Sequence, residues 1–438
     1  MIKNLQLLIV TFSALTFNLN AQDLVLNPSS ITHPVLAKNG MVATQHYLAS
    51  QVGEDILSQG GNAYDAAVAV GFALAVVLPR AGNIGGGGFM VMHDAPSEES
   101  YSIDYREKAP LKASRDMYLN EDGSVNTSRS TIGYLAIGVP GTVYGMWEVH
   151  KKFGSMPWEE LLQPAIELAD SGFEMSPYMT MTLNRSHRKL SQFKETESIF
   201  YKEYPIKFNT SLVQPDLAET LRLIAQKGVA GFYEGEIADK IVSAMEKNGG
   251  LISHRDLKKY RPNWRKPLKS KYRGFDVVTM GPPSSGGIHL IQMLNILENH
   301  NLKSFGHNNP RYVSLLTEVM KYAYADRSEY LGDPDFYKVP VDMLTSKEYS
   351  DAINQSLKLF EFMTPPPTPS SSIEPGEYMR KESIETTHYS IADQYGNIIS
   401  NTYTLNSAYG SGVTIEGTGI LMNNETVSYT HLRAHETA

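Results

Sequence analysis

The strongest restriction on the fold comes from residues 63–78, AYDAAVAVGFALAVVL, which are apolar on almost every side of a helix. Asn62 can cap this helix, Asp65 lies near its positive end, and Pro79 ends it. The run is shorter than the ~20 residues that a membrane-spanning helix needs. It therefore predicts a helix that lies inside a protein core and is covered by other elements.

Helix and strand patterns alternate around this run and predict a mixed α/β protein. Ala, Leu and Val recur at helical spacing over residues 43–58, and Gly60 and Gly61 stop that pattern. The strand candidates are FMVMHD (89–94) and FDVVTM (275–280). Further helical patterns lie at 141–152, 157–171, 216–226, 236–247, 286–299 and 310–330.

A run of glycines, GNIGGGG at 82–88, follows the apolar helix. Phosphate-binding loops follow a strand and have glycines at fixed spacings that this run does not match. Glycine also allows two backbones to approach closely, because it has no side chain. We therefore interpret the run as a site of close backbone packing.

The first residues have the layout of a secretory signal peptide. Lys3 precedes an apolar stretch from Leu5 to Phe17, and Ala21 is a small residue at the expected cleavage position. The apolar stretch is short for a membrane span, which favours export over an uncleaved anchor. We expect residues 1–21 to be removed, the mature protein to be periplasmic or secreted from a bacterium, and no stable membrane span to remain.

The amino-acid composition excludes several classes of function. The 438 residues contain 39 Lys and Arg against 47 Asp and Glu, so no broad basic field is available to bind a nucleic acid. The chain has no cysteine, which excludes disulfides, thiol nucleophiles and thiolate metal sites. His431 and His435 stand four residues apart, but no HExxH pattern accompanies them. We expect neither a metal nor another cofactor.

A predicted β-hairpin lies in the segment TTHYSIADQYGNIISNTYTLN, which starts at Thr386. Its two β-rich runs, 387–393 and 398–405, flank the turn sequence QYGN. In an antiparallel pair the end of the second strand returns to the start of the first. We therefore expect Thr404 and Asn406 to lie close to Thr386.

Just before this hairpin, the segment TPPPTPSSSIEPGE (364–377) predicts an extended, mobile tether, as a cleavage junction would need. Thr386 could attack the Glu385 carbonyl, and water would open the resulting ester to leave an N-terminal threonine. Its α-amine, with an ordinary pKa of about 7.7–8.0, could then serve as the base. The alternative is that Thr386 and Thr387 are ordinary strand residues. His388 alternates to the opposite face from Thr387, so we interpret it as structural.

Several segments together resemble γ-glutamyltransferases, also called glutathione hydrolases. The likeness runs in order from about residue 33 to residue 425, through GNIGGGGFM (82–90), DYREKAP (104–110), GVPGTVYG (138–145), GPPSSGG (281–287), AYADRSEYLGDP (323–334), the hairpin and GTGILMNNE (417–425). The resemblance implies an α/β (α+β) fold, the four-layer αββα sandwich of N-terminal-nucleophile hydrolases. It also implies a precursor that is split into a large subunit, residues 22–385, and a small catalytic subunit that starts at Thr386.

The resemblance also implies the activity. Thr386 would attack the γ-carbonyl of glutathione or another γ-glutamyl compound, and a γ-glutamyl ester would form as Cys-Gly or an amine leaves. Water, an acceptor amino acid or a dipeptide would then take the acyl group. By motif position, Thr404 would hydrogen-bond the nucleophile and Arg106 would bind the substrate's α-carboxylate. Asn406 and Glu425 would hold the α-carboxylate and α-amino ends.

Each of these side chains also has an ordinary structural explanation. Arg106 could pair with Asp104 or Glu107 at the surface, where most charged residues lie. Glu425 could be an ordinary solvated carboxylate. Thr404 could be an ordinary strand residue, and Asn406 an ordinary turn residue. The residue types alone therefore leave both interpretations open.

The chain departs from the family pattern after Glu425. We expect residues 386–425 to be the start of the small subunit and 426–438, TVSYTHLRAHETA, to be a non-native tail, which would leave the fold incomplete at its C-terminus. The family's next aspartate, its Ser-Ser pair and the Gly-Gly turn of its oxyanion hole are not found at the matching place. Losing one oxyanion donor typically costs about 2.7–4 kcal/mol of transition-state stabilisation. We therefore expect this chain itself to be inactive.

Two other functions remain open at this point. A cephalosporin-acylase-like amidase or an enzyme that processes poly-γ-glutamate would use the same threonine in the same fold. A periplasmic binding protein could reuse the fold without catalysis. Self-cleavage between Glu385 and Thr386 separates the catalytic functions from the binding function, because a binding protein would stay whole.

Overall fold

The apolar run forms the predicted buried helix. In the computed structural model, which describes residues 36–357 and 386–426, this helix spans Ala63–Val77 and all of its residues are buried. Asn62 accepts the amides of Tyr64 and Asp65, and the Asp65 carboxylate accepts the amide of Asn62 at 3.0 Å. This capping box satisfies amides that have no partner within the helix. The predicted cap is thus confirmed.

Several predictions fall outside the described residues. They are the signal peptide at 1–21, the mobile tether at 364–377, Glu385 and all but the first residue of the tail at 426–438. The boundaries that we expect between signal peptide, large subunit, small subunit and tail therefore stay predictions. The elements that follow all lie within the compact unit that begins at Gly40.

The described elements alternate between helices and short strands. The strands are β1 Gly40–Ala43, β2 Gly87–Asp94, β3 Glu99–Asp104, β4 Phe173–Glu174, β5 Ser211–Leu212, β6 Asn263–Arg265, β7 Leu268–Tyr272, β8 Phe275–Thr279, β9 Thr387–Asp393 and β10 Ile398–Thr404. The helices are α1 Tyr47–Ser58, α2 Ala63–Val77, α3 Thr127–Thr131, α4 Thr142–Phe153, α5 Trp158–Ser171, α6 Pro177–Leu190, α7 Lys194–Phe200, α8 Pro215–Lys227, α9 Ala230–Tyr233, α10 Gly235–Asn248, α11 His254–Lys259, α12 Gly286–Glu298, α13 Leu302–Phe305, α14 Pro310–Tyr330, α15 Val341–Leu344 and α16 Lys347–Ser356. Within this part of the chain no helix is long and apolar enough to cross a membrane.

The main sheet has six antiparallel strands in the order β1-β9-β10-β2-β3-β6. The predicted hairpin, β9 and β10, occupies its middle and pairs Tyr403 with Thr387. Strand β1 lies along β9, and β2 lies along β10. The segment that follows residue 385 therefore completes a sheet whose other strands come from the first part of the chain.

Helix α2 packs on one face of this sheet. The hydroxyl of Tyr389 donates to the carbonyl of Ala67 at 2.8 Å, and that of Tyr403 donates to the carbonyl of Gly71 at 2.8 Å. Both tyrosines are fully buried, so these bonds satisfy hydroxyls that water cannot reach. His388 lies on the opposite face and is exposed. The alternation that we predicted for the hairpin is confirmed.

The glycine run provides the close packing that the sequence suggested. A Cβ atom on Gly82 would lie 2.2 Å from the carbonyl oxygen of Leu74, and one on Gly86 would lie 2.2 Å from that of Thr404. Real Cβ atoms do not approach backbone atoms this closely. The run thus lets β2 enter the sheet directly beside the end of β10.

The predicted helices are confirmed within a few residues, with one error at an N-terminus. The pattern over 43–58 predicts one helix, but residues 40–43 form β1 and α1 begins at Tyr47, where the His46 side chain accepts the amide of Leu48. Val42 pairs with Ile391, a distant partner that local spacing cannot reveal. No sequence pattern above predicts β3 or α6.

Candidate active site

The hairpin brings two threonine hydroxyls together at the start of β9. Thr386 immediately precedes the strand, and its hydroxyl donates to the hydroxyl oxygen of Thr404 at 3.4 Å. Thr386 is half-buried, whereas Thr404 is 4% exposed. The predicted proximity is confirmed, and it follows from the register that pairs Thr387 with Tyr403. The catalytic role of either hydroxyl stays a prediction.

Asn406 lies beside these hydroxyls in an unusual backbone conformation. Its amide donates to the Thr404 hydroxyl oxygen at 2.8 Å, and its side-chain amide donates to the carbonyl of Asn424 at 3.0 Å. Its φ of 77° is left-handed, a region that asparagine tolerates better than most residues. The turn after β10 therefore links the hydroxyl pair to the segment that carries Glu425.

Arg106 and Glu425 form a buried ion pair. The Nη2 atom of Arg106 donates to Oε1 of Glu425, and the two side chains are 15% and 1% exposed. The guanidinium also lies 5.5 Å from the centroid of the Phe89 ring, within the range of a cation–π contact. A solvated carboxylate at Glu425 is thus the wrong description, and the structure brings together two residues that are far apart in sequence.

A second carboxylate lies beside this pair. Oε2 of Glu107 is 3.8 Å from Nε of Arg106, and the Glu107 side chain is 1% exposed. Burial raises the pKa of Glu107 to about 8; Arg106 opposes that shift and Glu425 adds to it. The alternative of a surface pairing between Arg106 and Asp104 or Glu107 is wrong in its setting, because the Glu107 carboxylate is inside the protein and Asp104 pairs with Arg265 instead.

Sequence reasoning missed Asn423, which precedes Glu425 in the quoted segment GTGILMNNE. Its side-chain nitrogen donates to the carbonyls of Gly85 and Gly138, both at 2.8 Å. Its side-chain oxygen accepts the amides of Gly138 at 2.9 Å and Glu425 at 3.0 Å. This fully buried amide thus fixes Glu425 against the glycine run and the loop before α4.

Asn424 likewise fixes the turn after β10 through its hydrogen bonds, and sequence reasoning missed this residue too. Its side-chain oxygen accepts the amide of Ser407 at 3.1 Å, and its nitrogen donates to the carbonyl of Thr131 at 2.8 Å. Its backbone amide donates to the carbonyl of Leu405 at 3.1 Å. The two adjacent asparagines after an apolar run were the signal available in the sequence, because a side-chain amide both donates and accepts hydrogen bonds and can join several backbone segments.

His388 lies apart from this arrangement. Its ring nitrogens contact the hydroxyls of Thr402 at 2.7 Å and Ser390 at 3.1 Å, both on its own face of the hairpin. Partial desolvation by its neighbours on this face lowers the pKa of His388 below its ordinary value, which favours the neutral ring. These contacts agree with a structural role for His388.

The arrangement combines groups that suit one end of an amino acid. A guanidinium can bind a carboxylate through two parallel hydrogen bonds, and a carboxylate can bind an ammonium group. The hydroxyl of Thr386 supplies a nucleophile if a base accepts its proton. Within residues 36–357 and 386–426, no group of three or more His, Asp or Glu side chains could hold a metal ion.

Comparison with known proteins places these residues in a family. The family model described as gamma-glutamyltranspeptidase matches residues 49–437. The glutathione hydrolase proenzyme of Escherichia coli (strain K12) is 46% identical over 397 residues, which cover 90% of this chain and 67% of that protein. The acylase ACY 1 proenzyme of Pseudomonas sp. (strain SE83) is 38% identical over 89% of this chain and 70% of its own length.

Solved structures agree in fold. The gamma-glutamyltranspeptidase of Helicobacter pylori has a TM-score of 0.73 at 44% identity and covers 80% of this chain and 100% of its own. The cephalosporin acylase of Bacillus halodurans has a TM-score of 0.77 at 27% identity, covering 95% of this chain and 75% of its own. The predicted fold class is confirmed. With nearly the whole chain matched at this level of identity, the protein belongs to the gamma-glutamyltranspeptidase family.

Proposed function

We propose that the full-length parent of this chain is the precursor of an enzyme that cleaves itself between Glu385 and Thr386 and then cleaves γ-glutamyl amide bonds. The observation that carries the proposal is the hydroxyl of Thr386, held by Thr404 at the start of a central strand. A nucleophile that becomes a chain terminus gains an α-amine as its own base. The name proenzyme, given to the glutathione hydrolase relatives, supports a precursor.

The first reaction is an N→O acyl shift. The Thr386 oxygen bonds to the Glu385 carbonyl carbon, the peptide C–N bond breaks, and the nitrogen takes up the proton that the hydroxyl gives up. Water then hydrolyses the ester, which leaves a carboxylate on Glu385 and a free amine on Thr386. At pH 7 roughly a tenth to a sixth of such an amine is unprotonated and able to act as a base, since its ordinary pKa is about 7.7–8.0.

The second reaction uses the new terminus. The Thr386 hydroxyl attacks the γ-carbonyl of glutathione or another γ-glutamyl compound while the α-amine takes its proton. That proton passes to the departing amine, and a γ-glutamyl ester remains on Thr386. Water, or the amine of an acceptor amino acid or dipeptide, then takes the acyl group. Arg106 would bind the substrate's α-carboxylate, and Asn406 and Glu425 would hold its α-carboxylate and α-amino ends.

The proposed place of action is the periplasm or the exterior of a bacterial cell. The layout of residues 1–21 and the lack of cysteine support it. Cleavage after Ala21 would then be visible as the mature N-terminus of the exported protein.

The experiment that tests this function uses the full-length parent and compares wild type with Thr386→Ala and Thr386→Ser. We expect wild type to give two fragments, the second beginning at Thr386 by mass spectrometry. Thr386→Ser keeps a hydroxyl and should still cleave, although more slowly. Thr386→Ala has no hydroxyl and should stay whole. A wild-type chain that stays whole under all conditions would support the binding-protein alternative.

A cephalosporin-acylase-like or poly-γ-glutamate-processing amidase is the second candidate, favoured by the acylase relatives. Glu425 distinguishes it, because a glutaryl group has a carboxylate at the same position as the γ-glutamyl α-carboxylate but has no α-amino group for Glu425 to hold. In the full-length parent we expect Glu425→Gln to lower hydrolysis of γ-glutamyl-p-nitroanilide at least tenfold, the effect of one charge-assisted hydrogen bond of about 1.5–3 kcal/mol. Hydrolysis of glutaryl-p-nitroanilide should change little. Faster glutaryl hydrolysis in wild type would favour the acylase function.

A further inference from the structure

The backbone of Arg106 is held on both sides. Its amide donates to Oδ1 of Asp104 at 3.0 Å, and its carbonyl accepts the hydroxyl of Tyr260 at 2.9 Å. A guanidinium stands at the end of a long, flexible side chain, so its position depends on the backbone from which it extends. Any group that orients Asp104 therefore affects where Arg106 can reach.

Arg265 is the group that orients Asp104. Its Nε donates to Oδ2 of Asp104 at 2.8 Å, so the two oxygens of this carboxylate are divided between Arg265 and the amide of Arg106. The side chains of Arg265 and Asp104 are 16% and 7% exposed. Ion pairs at such depth are screened little by solvent, and a buried carboxylate that loses its partner is costly.

The other edge of Arg265 holds a second segment. Nη1 and Nη2 donate to the two oxygens of Asp335 at 3.1 and 3.0 Å, a bidentate pair. The same carboxylate accepts the side-chain amide of Asn263 at 3.2 Å. Hydrogen bonds from Arg265 lower the pKa of Asp335, so the pair remains charged at neutral pH. One guanidinium thus joins residues 331–337 to the strand end that precedes Arg106.

We propose that Arg265 is a positioning residue for Arg106: by clamping Asp104 and Asp335 together, it sets the backbone from which Arg106 binds the α-carboxylate of the substrate. This proposal rests on the proposed function, in which Arg106 has that role. The geometry requires arginine, because the ammonium of lysine has one nitrogen and cannot span both carboxylates with three separate bonds.

The test measures binding rather than turnover. L-Glutamate carries the α-carboxylate, and γ-aminobutyrate is the same molecule without it, so the ratio of their dissociation constants reports on carboxylate recognition. We expect Arg265→Met to weaken L-glutamate roughly tenfold, the loss of about one charge-assisted hydrogen bond, and to leave γ-aminobutyrate unchanged. In Arg265→Lys the ratio should lie between those of wild type and Arg265→Met. In Asp335→Asn it should change by a smaller factor than in Arg265→Met. Isothermal titration calorimetry on the full chain measures all of these constants.

The chain offers a matched control in Arg222, which bridges Asp170 and Glu219 on the exposed surface. Arg222→Met also removes an arginine held by two carboxylates, and it should leave the ligand ratio unchanged. If Arg265→Met is too unstable to measure, Arg265→Lys and Asp335→Asn still report on the ratio. If Arg265 has only a structural role, its substitution should lower stability without changing the ligand ratio in the folded variants. That result would overturn the proposal.

Arg106→Met separates this inference from the function on which it rests. If Arg106→Met leaves the ratio of L-glutamate to γ-aminobutyrate unchanged, the proposed role of Arg106 fails, and the role of Arg265 fails with it. If Arg106→Met lowers the ratio and the Arg265 and Asp335 variants behave like Arg222→Met, only the positioning role is overturned.

Discussion

Glu107 makes the stability of the protein depend on pH. Burial raises the pKa of this carboxyl from an ordinary 4.5 to about 8, so the folded protein keeps a proton that the unfolded chain has lost. The stabilisation from that proton is fully present below about pH 4.5 and is lost as pH rises through about 8. No side chain among the described residues donates a hydrogen bond to either Glu107 oxygen, so the attraction of Arg106 offsets the effect of burial only in part.

We expect Glu107→Gln to remove this dependence, because glutamine has the same shape and does not ionise. Between pH 5 and pH 9 the free energy of unfolding of wild type should fall relative to that of the variant. Urea denaturation at both pH values measures the difference. Glu246→Gln, on an exposed side chain, is the control and should parallel wild type. Parallel behaviour of Glu107→Gln would show that Glu107 is ionised in the folded protein.

The side-chain amide of Asn423 cannot be replaced by a carboxylate of the same shape. Its nitrogen donates to two buried carbonyls, those of Gly85 and Gly138. In Asn423→Asp an oxygen that cannot donate would face both carbonyls, and a negative charge would be buried near Glu425. We expect a loss of about 3 kcal/mol or more in the free energy of unfolding, since unpaired buried charges cost roughly this much.

Chemical denaturation of Asn423→Asp checks this expectation at neutral pH. Asn248→Asp is the matched control, because the Asn248 amide donates to the carbonyl of Ala244 on the exposed surface. The control should change stability by less than about 0.5 kcal/mol. Equal effects of the two substitutions would mean that the buried contacts of Asn423 contribute nothing specific.

Among the elements, most of the longer helices and the hairpin could be predicted, because their patterns are local. The spacing in α2, its cap at Asn62 and the alternation in β9 depend on neighbours in sequence. Strand β1 could not be predicted, because its pairing with β9 joins the two ends of the described chain. The same distinction applies to the site. The contact of Thr386 with Thr404 could be predicted because one hairpin brings them together, whereas the pairing of Arg106 with Glu425 could not, because it depends on the whole fold.

Strands β2 and β10 meet closely enough that one added methyl group should separate them. A Cβ on Gly86 would lie 2.2 Å from the carbonyl oxygen of Thr404, next to the hydroxyl that holds Thr386. We expect Gly86→Ala to destabilise the protein by about 1–3 kcal/mol, the usual cost of overpacking, and to slow self-cleavage. Thermal or urea denaturation measures the first effect, and a time course on denaturing gels measures the second.

Gly286→Ala is the control for this prediction. The nearest atom to a Cβ on Gly286 is the hydroxyl oxygen of Ser284 at 3.6 Å, an ordinary contact, and the residue begins α12. Alanine in a helix is more favourable than glycine by up to about 1 kcal/mol, so this variant should be neutral or more stable. A Gly86→Ala variant as stable and as quickly cleaved as Gly286→Ala would contradict the close packing of β2 and β10.

For the molecule as a whole, the segment 386–426 is an internal part of one core. Its two strands lie between β1 and β2, and its tyrosines hydrogen-bond to α2. The carboxylate of Asp393 accepts the amide of Ala63 at 2.9 Å, which ties the hairpin turn to the N-terminus of α2. From the other side, Lys189 in α6 donates to the carbonyls of Ala408 and Gly410.

Cleavage before Thr386 should therefore leave the two fragments associated. Breaking one peptide bond removes neither the ladders between β9 and β1 and between β10 and β2 nor the buried side chains that cover them. We expect the fragments of the cleaved protein to co-elute in size-exclusion chromatography at the volume of the uncleaved Thr386→Ala variant, and to separate only in denaturant. Native mass spectrometry of the same peak should give the mass of a one-to-one complex. A small fragment that elutes alone in native buffer would show that the central hairpin is not held by the sheet.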